Sequence, residues 1–351
     1  MTVVRVWFNK TFSSVYNVAR LLGAAEEPSR FHVLCSHTNG EFVGLQAGDE
    51  SFLEPVEIDR DSYVSLCLEL CVRHGVDVFV PGRALYEIAC RRDEFEAMGV
   101  RLLVAAAPEY LVLFEDKRRF YEELATDTAI PPRCICVNTV AEFSAAVDTL
   151  RSEGSQVCFK PSRSTGGLGF RILDDRRSDV QNLLSGESVR LTRHLAETVL
   201  RQVGTFRDLL VMEYLPGAEY SVDCIAEQGR LFRAVARRKP TRTGGAQFLE
   251  KNDELVALAE RLTEAYGLSG IFNVQVRYNG SMPKVLEINA RMAGGIYFSC
   301  LSGLNFPAWG VGLAAGVADV RRMPEPRFGL HVHQQNHEFV FRSPPMAKAV
   351  E

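Results

Sequence analysis

The sequence predicts an α/β domain with a parallel sheet at the N-terminus, followed by an α+β region with antiparallel strands. Up to about residue 113, apolar runs such as Val3–Phe8 and Phe31–Ser36 alternate with helical patterns such as Ser62–His74. This order is typical of parallel, doubly wound sheets. Further along, Gln228-Gly229 and Asn279-Gly280 are hairpin-turn signals between strand-like runs. A length of 351 residues allows two or three such packed units.

The remaining predicted elements follow from periodicity and from helix-breaking residues. In the first region they are helices Ser13–Leu22 and Glu87–Met98 and strands Val76–Pro81 and Val100–Ala105. Between residues 113 and 203 they are helices Leu113–Ala125 and Thr139–Glu153, strands Arg133–Val137 and Val157–Lys160, and a helical stretch Arg177–Val203 interrupted at Gly186. Beyond residue 208 they are strands Leu209–Glu213, Tyr220–Ala226, Arg230–Arg237, Gly270–Tyr278 and Pro283–Asn289, and helix Leu255–Tyr266.

Composition is that of an ordinary globular protein, with 46% hydrophobic and 24% charged residues. A net charge of −4 gives no reason to expect nucleic acid as a partner. No apolar run reaches the ~18 residues of a membrane span, and the N-terminus lacks signal-peptide features. We therefore expect no membrane partner and a cytoplasmic location.

The segment EINARMAGG, Glu287–Gly295, is the most informative in the chain. Alternation along a strand places Glu287 and Asn289 on one face, and Arg291 follows before a glycine turn. Gln275 lies in the preceding strand-like run and adds a third side-chain oxygen. Oxygen ligands beside a guanidinium suit Mg²⁺ and the phosphates it bridges. The alternative is a hairpin with polar residues on its solvent face.

A second motif, CFKPSRSTGGLGFR, begins at Cys158. Lys160 ends a strand and precedes a loop of small residues, which lets backbone N–H groups approach phosphate closely. The lysine precedes the glycines, so this is not a Walker-type loop. Standing alone, the loop is equally consistent with an ordinary hairpin turn.

A third motif, LLVMEYLPGAEYSVDC, begins at Leu209. Its buried strand ends at Glu213, Tyr214 and Leu215 and turns at Pro216-Gly217. Backbone exposed at such a turn can bind an adenine edge, and Leu215 can pack against the ring. Glu219 is placed to accept hydrogen bonds from ribose hydroxyls.

In their order and spacing, these motifs resemble the ATP-grasp superfamily of carboxylate–amine ligases, over about residues 113 to 320. The order is a lysine-bearing helix, a lysine strand with a glycine loop, the ME(Y/F)LPGxEYSVD segment and the ExNxR strand. The resemblance implies a pre-ATP-grasp domain at residues 1–113. It also implies an ATP-grasp fold of two subdomains, at residues 114–205 and 206–351.

The resemblance also implies roles for individual residues. Lys117 and Lys160 match the two cations that bind nucleotide phosphates, and Arg291 matches the arginine that steadies the transferred phosphate or the carboxylate. Arg237 and Lys239 are further candidates for phosphate contact. The implied nucleotide-binding residues also include Ser162, Gly166, Gly167 and Gly169 of the loop, Glu213, Tyr214 and Leu215 of the adenine hinge, and Glu219. The implied metal ligands are Gln275, Glu287 and Asn289.

Gln275 departs from the many family members that have a carboxylate at the first metal position. An amide keeps the oxygen but loses a charge, so weaker binding of a second Mg²⁺ is expected. A glutamine at this position is found in the carbamoyl-phosphate synthetase branch of the family.

The implied reaction is the ATP-dependent joining of a carboxylate to an amine through an acyl phosphate, with release of ADP and phosphate. ATP and Mg²⁺, or Mn²⁺ in its place, are the expected cofactors. The expected substrates are small molecules, with amino acids as the favoured class, and family members are often homodimers. Two alternatives stay open: a bicarbonate-activating enzyme like carbamoyl-phosphate synthetase, and an ATP-binding regulatory protein without turnover.

Other polar residues carry weaker signals. The nine cysteines lack zinc-ribbon or redox spacing and are interpreted as reduced, mostly buried thiols. His331, His333 and His337 form a histidine cluster that favours packing or hydrogen bonding over metal binding. In the family, the run Ile296–Gly316, which follows the strand carrying Glu287 and Asn289, lines the acceptor pocket. A packed loop and helix would explain this run equally well.

Overall fold

The computed structural model describes residues 3–124, 130–164, 166–240, 244–335 and 340. The chain divides into two compact units. Unit 1 comprises residues 1–111, 219–275 and 288–351, and unit 2 comprises residues 112–218 and 276–287. Each unit is thus assembled from segments that are distant in sequence. The domain boundaries predicted at residues 113 and 205 stay a prediction.

The first segment of the chain forms a five-stranded sheet in the order β3-β2-β1-β4-β5. Every pair in it is parallel, which confirms the parallel sheet predicted for this region. Its elements are β1 (Val3–Phe8), α1 (Val15–Gly23), β2 (Arg30–His37), β3 (Glu50–Leu53), α2 (Arg60–Arg73), β4 (Val78–Val80), α3 (Leu85–Cys90), α4 (Arg92–Ala97) and β5 (Arg101–Leu102), with a 3₁₀ turn at Val43–Gln46.

The middle segment forms a second five-stranded sheet, in the order β6-β10-β7-β8-β9. Its first three pairs are antiparallel and the last is parallel. Phe143 and Val211 belong to the apolar core of this unit. The elements are α5 (Pro108–Glu115), α6 (Lys117–Leu124), β6 (Cys134–Val137), α7 (Val140–Ser152), β7 (Val157–Pro161), β8 (Arg171–Leu173), α8 (Asp179–Leu184), β9 (Arg190–Leu191), α9 (Arg193–Leu200) and β10 (Leu209–Glu213).

The last segment supplies a six-stranded sheet in the order β15-β14-β11-β12-β13-β16. Gln228 and Gly229, with φ of 48° and 79°, make the predicted hairpin turn between β11 and β12. The elements are β11 (Glu219–Glu227), β12 (Arg230–Arg238), β13 (Gln247–Glu250), α10 (Asp253–Ala265), β14 (Gly270–Asn279), β15 (Met282–Asn289), α11 (Ile296–Cys300), α12 (Phe306–Ala314) and β16 (Leu330–Val332), with a 3₁₀ turn at Val320–Arg322.

One apolar core serves both ends of unit 1. Val6 and Val33 of the parallel sheet lie in the same buried cluster as Val235 of β12, Ile271 of β14 and Trp309 of α12. Burial of each such side chain contributes about 1.5–3 kcal/mol. The N-terminal strands and the last segment are therefore stabilised together.

Two predicted helices are each divided in the structure, and these predictions of a single helix were wrong. The helix predicted over Glu87–Met98 is split at Arg91 into α3 and α4. The helix predicted over Leu113–Ala125 is split at Asp116, whose carboxylate lies 3.5 Å from the Arg119 amide and accepts a hydrogen bond from Ser162. An aspartate that bonds the next turn in this way favours the start of a new helix.

Several short strands were not predicted. They are β3, β8, β9, β13 and β16, each two to four residues long. Runs this short carry too little alternation to indicate a strand.

The nine cysteines are unpaired thiols, and six of them are buried. Burial raises the pKa of Cys71 and of Cys158 to about 12. Cys90 is exposed. Within the described residues, no helix combines the length and apolar character that crossing a lipid bilayer requires.

The loop after β1 is held by a buried carboxylate, Glu54, whose side chain is fully buried. It accepts hydrogen bonds from the Lys10 amide at 2.7 Å, the Ser36 hydroxyl at 2.8 Å and the Tyr63 hydroxyl at 2.7 Å. Arg83 lies 3.3 Å away and supplies the opposite charge. A single buried carboxylate therefore fixes the loop at the carboxyl end of the first strand.

We expect Glu54→Gln to lower the free energy of unfolding by about 3 kcal/mol, because the change leaves the half-buried Arg83 without its counter-charge and places an amide, fully buried, where a carboxylate accepted several hydrogen bonds. Urea denaturation measures the effect. Glu57→Gln, at an exposed position, is the control and is expected to unfold like the wild type. Equal unfolding midpoints for the two variants would contradict this account of Glu54.

Candidate active site

In unit 2, Lys117 is a buried cation at the start of α6. Its Nζ donates to the Ser164 carbonyl at 2.9 Å and lies 3.4 Å from a carboxylate oxygen of Glu287. Burial lowers the pKa of Lys117, and the charge of Lys160 acts in the same direction, whereas Glu287 opposes it. The glycine-rich loop and the strand carrying Glu287 thus share one ammonium group.

Lys160, near the end of β7, belongs to the same group of side chains. Its Nζ donates to the Tyr121 hydroxyl at 3.0 Å, and that hydroxyl donates to the Leu286 carbonyl at 2.8 Å. Burial raises the pKa of Tyr121 well above its usual value, so the phenol stays neutral. Tyr121 therefore orients Lys160 relative to the strand that carries Glu287.

The predicted phosphate loop begins at a fixed residue. Ser162 is buried, and its hydroxyl donates to Asp116 at 2.8 Å while its amide donates to the Asp208 carbonyl at 2.9 Å. Gly166 and Gly167 adopt positive φ values of 62° and 76°, and no atom lies within 4 Å of where a Cβ would be. A Cβ at Gly169, whose φ is 79°, would instead be 2.7 Å from Pro161. Ser162 thus anchors the loop, and Gly166 and Gly167 present an open backbone turn.

The predicted adenine hinge lies at the end of β10. The Glu213 carboxylate accepts hydrogen bonds from the Arg133 amide and the Asn279 side chain, both at 2.8 Å, and lies 3.1 Å from Lys284. Its side chain is therefore a structural anchor. Leu215 is buried, and within the described residues its backbone N–H has no hydrogen-bond partner, as a base-binding turn requires.

Tyr214 lies between these two residues. Its hydroxyl accepts a hydrogen bond from Arg277 at 3.2 Å, and the Arg277 guanidinium lies 5.1 Å from the ring centroid. The amide of Tyr214 donates to the Gln156 carbonyl at 2.6 Å. Tyr214 is thereby held at both its backbone and its side chain.

In unit 1, three neighbouring strands bring Glu219, Lys239 and Gln275 together. Lys239 Nζ lies 2.5 Å from a carboxylate oxygen of Glu219 and donates to Gln275 Oε1 at 3.3 Å. Lys239 directly follows β12, and its amide donates to the Glu219 carbonyl. The candidate ribose ligand and the first candidate metal ligand thus share one lysine.

Asn289 and Arg291, also in unit 1, lie at the end of β15. Arg291 Nη2 donates to Asn289 Oδ1 at 3.3 Å, and Nη1 donates to the Met292 carbonyl at 3.1 Å. The Arg291 guanidinium carbon lies 4.7 Å from the ring centroid of Phe12, in the loop after β1. This ring contact helps to orient the arginine.

The three candidate metal ligands are each directed toward a positive charge: Glu287 toward Lys117, Gln275 toward Lys239 and Asn289 toward Arg291. Gln275 and Asn289 belong to unit 1 and Glu287 to unit 2. Carboxylate and amide oxygens are of the chemical type that Mg²⁺ binds, commonly one or two carboxylates together with substrate phosphates. The described residues contain no group of three or more His, Cys, Asp or Glu side chains able to hold a metal ion. The candidate set therefore depends on Glu287 and two amides.

The other weak signals have structural explanations. His331 packs against Phe248 at 4.6 Å, and His333 hydrogen-bonds the Gln334 carbonyl, whereas His337 lies outside the described residues. In the run after the metal strand, Ser299 and Ser302 are fully buried, and Tyr297 is 36% exposed. Tyr297 is thus more accessible to a ligand than either serine.

Sequence reasoning missed the residues that hold the candidate ligands: Tyr121, Asp116, Lys284 and Asn279. A signal existed for Tyr121, which lies four residues after Lys117 and therefore on the same face of α6. Asp116 directly precedes Lys117. Lys284 and Asn279 contact Glu213 across 66 residues or more of chain, which no local pattern reveals.

The chain matches one family model and several known proteins over parts of its sequence. Residues 205–338 match the family model described as "ATP-grasp in the biosynthetic pathway with Ter operon". The chain is 40% identical to carnosine synthase 1 of Gallus gallus over 100 residues, which is 24% of this chain and 10% of that protein. It is 24% identical to the carbamoyl phosphate synthase large chain of Clostridium acetobutylicum over 314 residues, or 86% of this chain and 27% of that protein.

Among solved structures, the L-amino acid ligase from Bacillus licheniformis matches with a TM-score of 0.59 at 15% identity, over 92% of this chain and 75% of that one. This likeness concerns the fold. The matches to the two relatives above span about a tenth and about a quarter of those proteins' lengths. The resemblance to ATP-grasp carboxylate–amine ligases that the motifs predict is confirmed.

We expect Tyr121→Phe to weaken nucleotide binding by about three- to tenfold, since the loss of one hydrogen bond typically costs about 0.5–1.5 kcal/mol, and about 1.4 kcal/mol is tenfold in affinity. The change removes the acceptor for Lys160 and the donor to Leu286. Calorimetric titration with ADP measures it. Tyr86→Phe, at an exposed tyrosine of α3, makes the same chemical change elsewhere; an equal effect there would argue against a role for Tyr121.

Proposed function

We propose that the chain is an ATP-dependent carboxylate–amine ligase that forms an amide through an acyl phosphate and releases ADP and phosphate. One observation carries the proposal. Within unit 2, two ammonium groups, Lys117 and Lys160, flank one strand end whose carboxylate is Glu287, next to an open glycine turn. Two ammonium groups beside an open backbone suit a polyphosphate.

The proposed reaction has two steps. A carboxylate oxygen of the first substrate attacks the γ-phosphorus of ATP, and the bond from that phosphorus to the β–γ bridging oxygen breaks, giving ADP and an acyl phosphate. The amine of the second substrate then attacks the acyl carbon. The bond between that carbon and the phosphate oxygen breaks, phosphate leaves, and the nitrogen loses a proton. No covalent bond to the protein is needed.

The protein's task in this proposal is alignment and charge stabilisation. Lys117 and Lys160 bind phosphate oxygens, together with the backbone of Gly166, Gly167 and Gly169. The N–H of Leu215 binds the adenine edge, and Glu219 binds the ribose. Arg291, held by Asn289 and Phe12, stabilises the transferred phosphate or the substrate carboxylate.

Mg²⁺, held by Gln275, Glu287 and Asn289, would supply charge neutralisation on the phosphates. These side chains already face cations, so their oxygens are oriented to accept positive charge. Because Gln275 and Asn289 are uncharged, metal affinity in this proposal depends on the nucleotide phosphates.

The substrates in this proposal are small molecules, with amino acids the favoured class. Carnosine synthase 1 and an L-amino acid ligase are among the proteins this chain resembles, and the names of both fit amide formation. A second candidate is bicarbonate activation. Gln275 and the match to a carbamoyl phosphate synthase large chain over 86% of this chain favour it.

The deciding experiment measures ADP release with Mg·ATP across a matrix of amino acids, other small carboxylates, amines and bicarbonate. A ligase requires one acid and one amine together. Release that depends on bicarbonate would instead support the second candidate. ATP binding with no release in any mixture would contradict both and indicate a regulatory protein.

Within that assay, Lys160→Ala and Glu287→Gln are each expected to lower kcat/KM by about 100-fold or more, as for the loss of one preorganised charge contact in a transition state. Lys251→Ala removes a lysine whose side chain is 72% exposed and is expected to behave like the wild type. Full activity in either of the first two variants would exclude the assigned role for that residue.

A further inference from the structure

We propose that Arg237 is a positioning residue that fixes the turn behind Arg291, an inference that rests on the proposed function. The sequence suggests phosphate contact for Arg237. In the structure, however, its side chain is only 4% exposed and its guanidinium is engaged on several sides. It acts through the residues that it holds.

Arg237 lies in a polar network on one face of the third sheet. Its Nη2 donates to Ser221 at 3.0 Å and to Asp223 at 3.2 Å, and its Nη1 donates to Gln247 at 2.5 Å. Asp223, fully buried, supplies the matching negative charge. The guanidinium is therefore fixed by side chains of β11 and β13, the two strands on either side of β12.

The same network reaches the helix that follows the metal strand. Ser299 of α11 donates to Asp223 at 2.5 Å, and Arg237 Nε lies 3.4 Å from the Ser299 hydroxyl. Ser299 is fully buried. The last turn of this short helix is thus tied to the sheet through the Arg237–Asp223 pair.

Arg237 also lies directly beneath the turn that joins β15 to α11. A Cβ at Gly295 would be 2.7 Å from Nη1 and 2.9 Å from Nη2 of Arg237. Only a residue without a side chain allows this approach. Gly294, one residue earlier, has no atom within 4 Å of a Cβ position. The guanidinium therefore supports Gly295 and not its neighbour.

The side chains of this network lie two residues along their strands from the candidate ligands of unit 1. Ser221, Arg237 and Asn273 are each two residues from Glu219, Lys239 and Gln275, so strand alternation places each pair on one face. Ser221 and Arg237 are paired across β11 and β12, and the Asn273 side chain donates to Ser221 and Asp223. Arg237 thus lies between these side chains and the turn that follows Arg291.

The consequence is a division of labour between two arginines. Arg291 touches the reacting groups in the proposed reaction. Arg237 instead fixes the backbone at Gly295, four residues after Arg291. Disturbing the contact between Arg237 and Gly295 should therefore raise KM for the carboxylate substrate more than it alters nucleotide binding, since the proposed phosphate and adenine contacts, Lys117, Lys160 and Leu215, belong to unit 2. Glu219, the proposed ribose ligand, lies in unit 1 but not in the turn that Gly295 forms.

The test compares Gly295→Ala with Gly294→Ala. We expect Gly295→Ala to raise KM for the carboxylate at least fivefold with less than a twofold change in ADP affinity. Gly294→Ala is expected to stay within twofold in both. Equal behaviour of the two variants, or a loss of stability in Gly295→Ala with KM unchanged, would overturn the inference.

Arg237→Lys, Gly295→Ala and the variant that carries both changes form a double-mutant cycle with the wild type. A lysine has a smaller head group, so the added methyl should cost less in the double variant than in the wild type, and the two effects on KM should not add. Additive effects would mean that Gly295 and Arg237 act independently.

Hydrogen exchange of a peptide covering residues 291–300 gives a readout that needs no catalysis. Faster exchange in Gly295→Ala, but not in Gly294→Ala, is expected. If that difference appears while the wild type has no ligase activity, the proposed function fails and the support of the turn stands. If the wild type is active but neither exchange nor KM differs between the variants, the positioning role fails.

Discussion

The buried ion pair between Arg237 and Asp223 is the constraint on which one face of the six-stranded sheet in unit 1 depends, the face that carries Glu219 and Gln275. A buried charge is costly unless it is both paired and hydrogen-bonded. Here Ser221, Gln247, Asn273 and Ser299 supply these bonds. The polar side chains on this face are therefore obligatory partners of one another, and the strands and α11 must keep the register that lets them meet.

Unit 2 meets the same constraint in a different way. Lys117 is buried beside the Glu287 carboxylate, with Asp116 also near enough to act on it and with a second ammonium group, Lys160, close enough to oppose its charge. The Ser164 carbonyl accepts a hydrogen bond from Lys117, and the Tyr121 phenol accepts one from Lys160. This part of unit 2 thus holds two ammonium groups close together, whereas the network in unit 1 is built on one arginine and one aspartate. An anion that brings its own negative charge would lower the electrostatic cost of burying Lys117.

Local pattern was sufficient for much of the fold. Alternating apolar runs predicted β1, β10, β11 and β14 closely, and turn chemistry predicted the Gln228-Gly229 hairpin. The pattern failed where tertiary contacts decide. Asp116 interrupts a continuous helical pattern because it bonds Ser162, 46 residues away, and strands of two to four residues form only beside partners from elsewhere in the chain.

The candidate ligands could be named from motifs, but not the residues that orient them. Tyr121 contacts the carbonyl of a residue 165 positions away, and Arg237 was interpreted as a phosphate ligand because its burial cannot be read from a strand pattern. Side chains that touch a ligand recur in short motifs. Those that hold them in place depend on which strands become neighbours, and that depends on the whole fold.

The distribution of the thiols has a practical consequence for anyone who handles this protein. Alkylating reagents attack thiolates, so a buried cysteine whose pKa is raised to about 12, as at Cys71 and Cys158, reacts slowly at neutral pH. Cys134 and Cys136 are half-buried, and burial raises the pKa of Cys134 to about 11. Cys90, exposed at the end of α3, is left as the preferred attachment point for a maleimide dye. A spectroscopic label can thus be introduced into unit 1 without engineering a new cysteine.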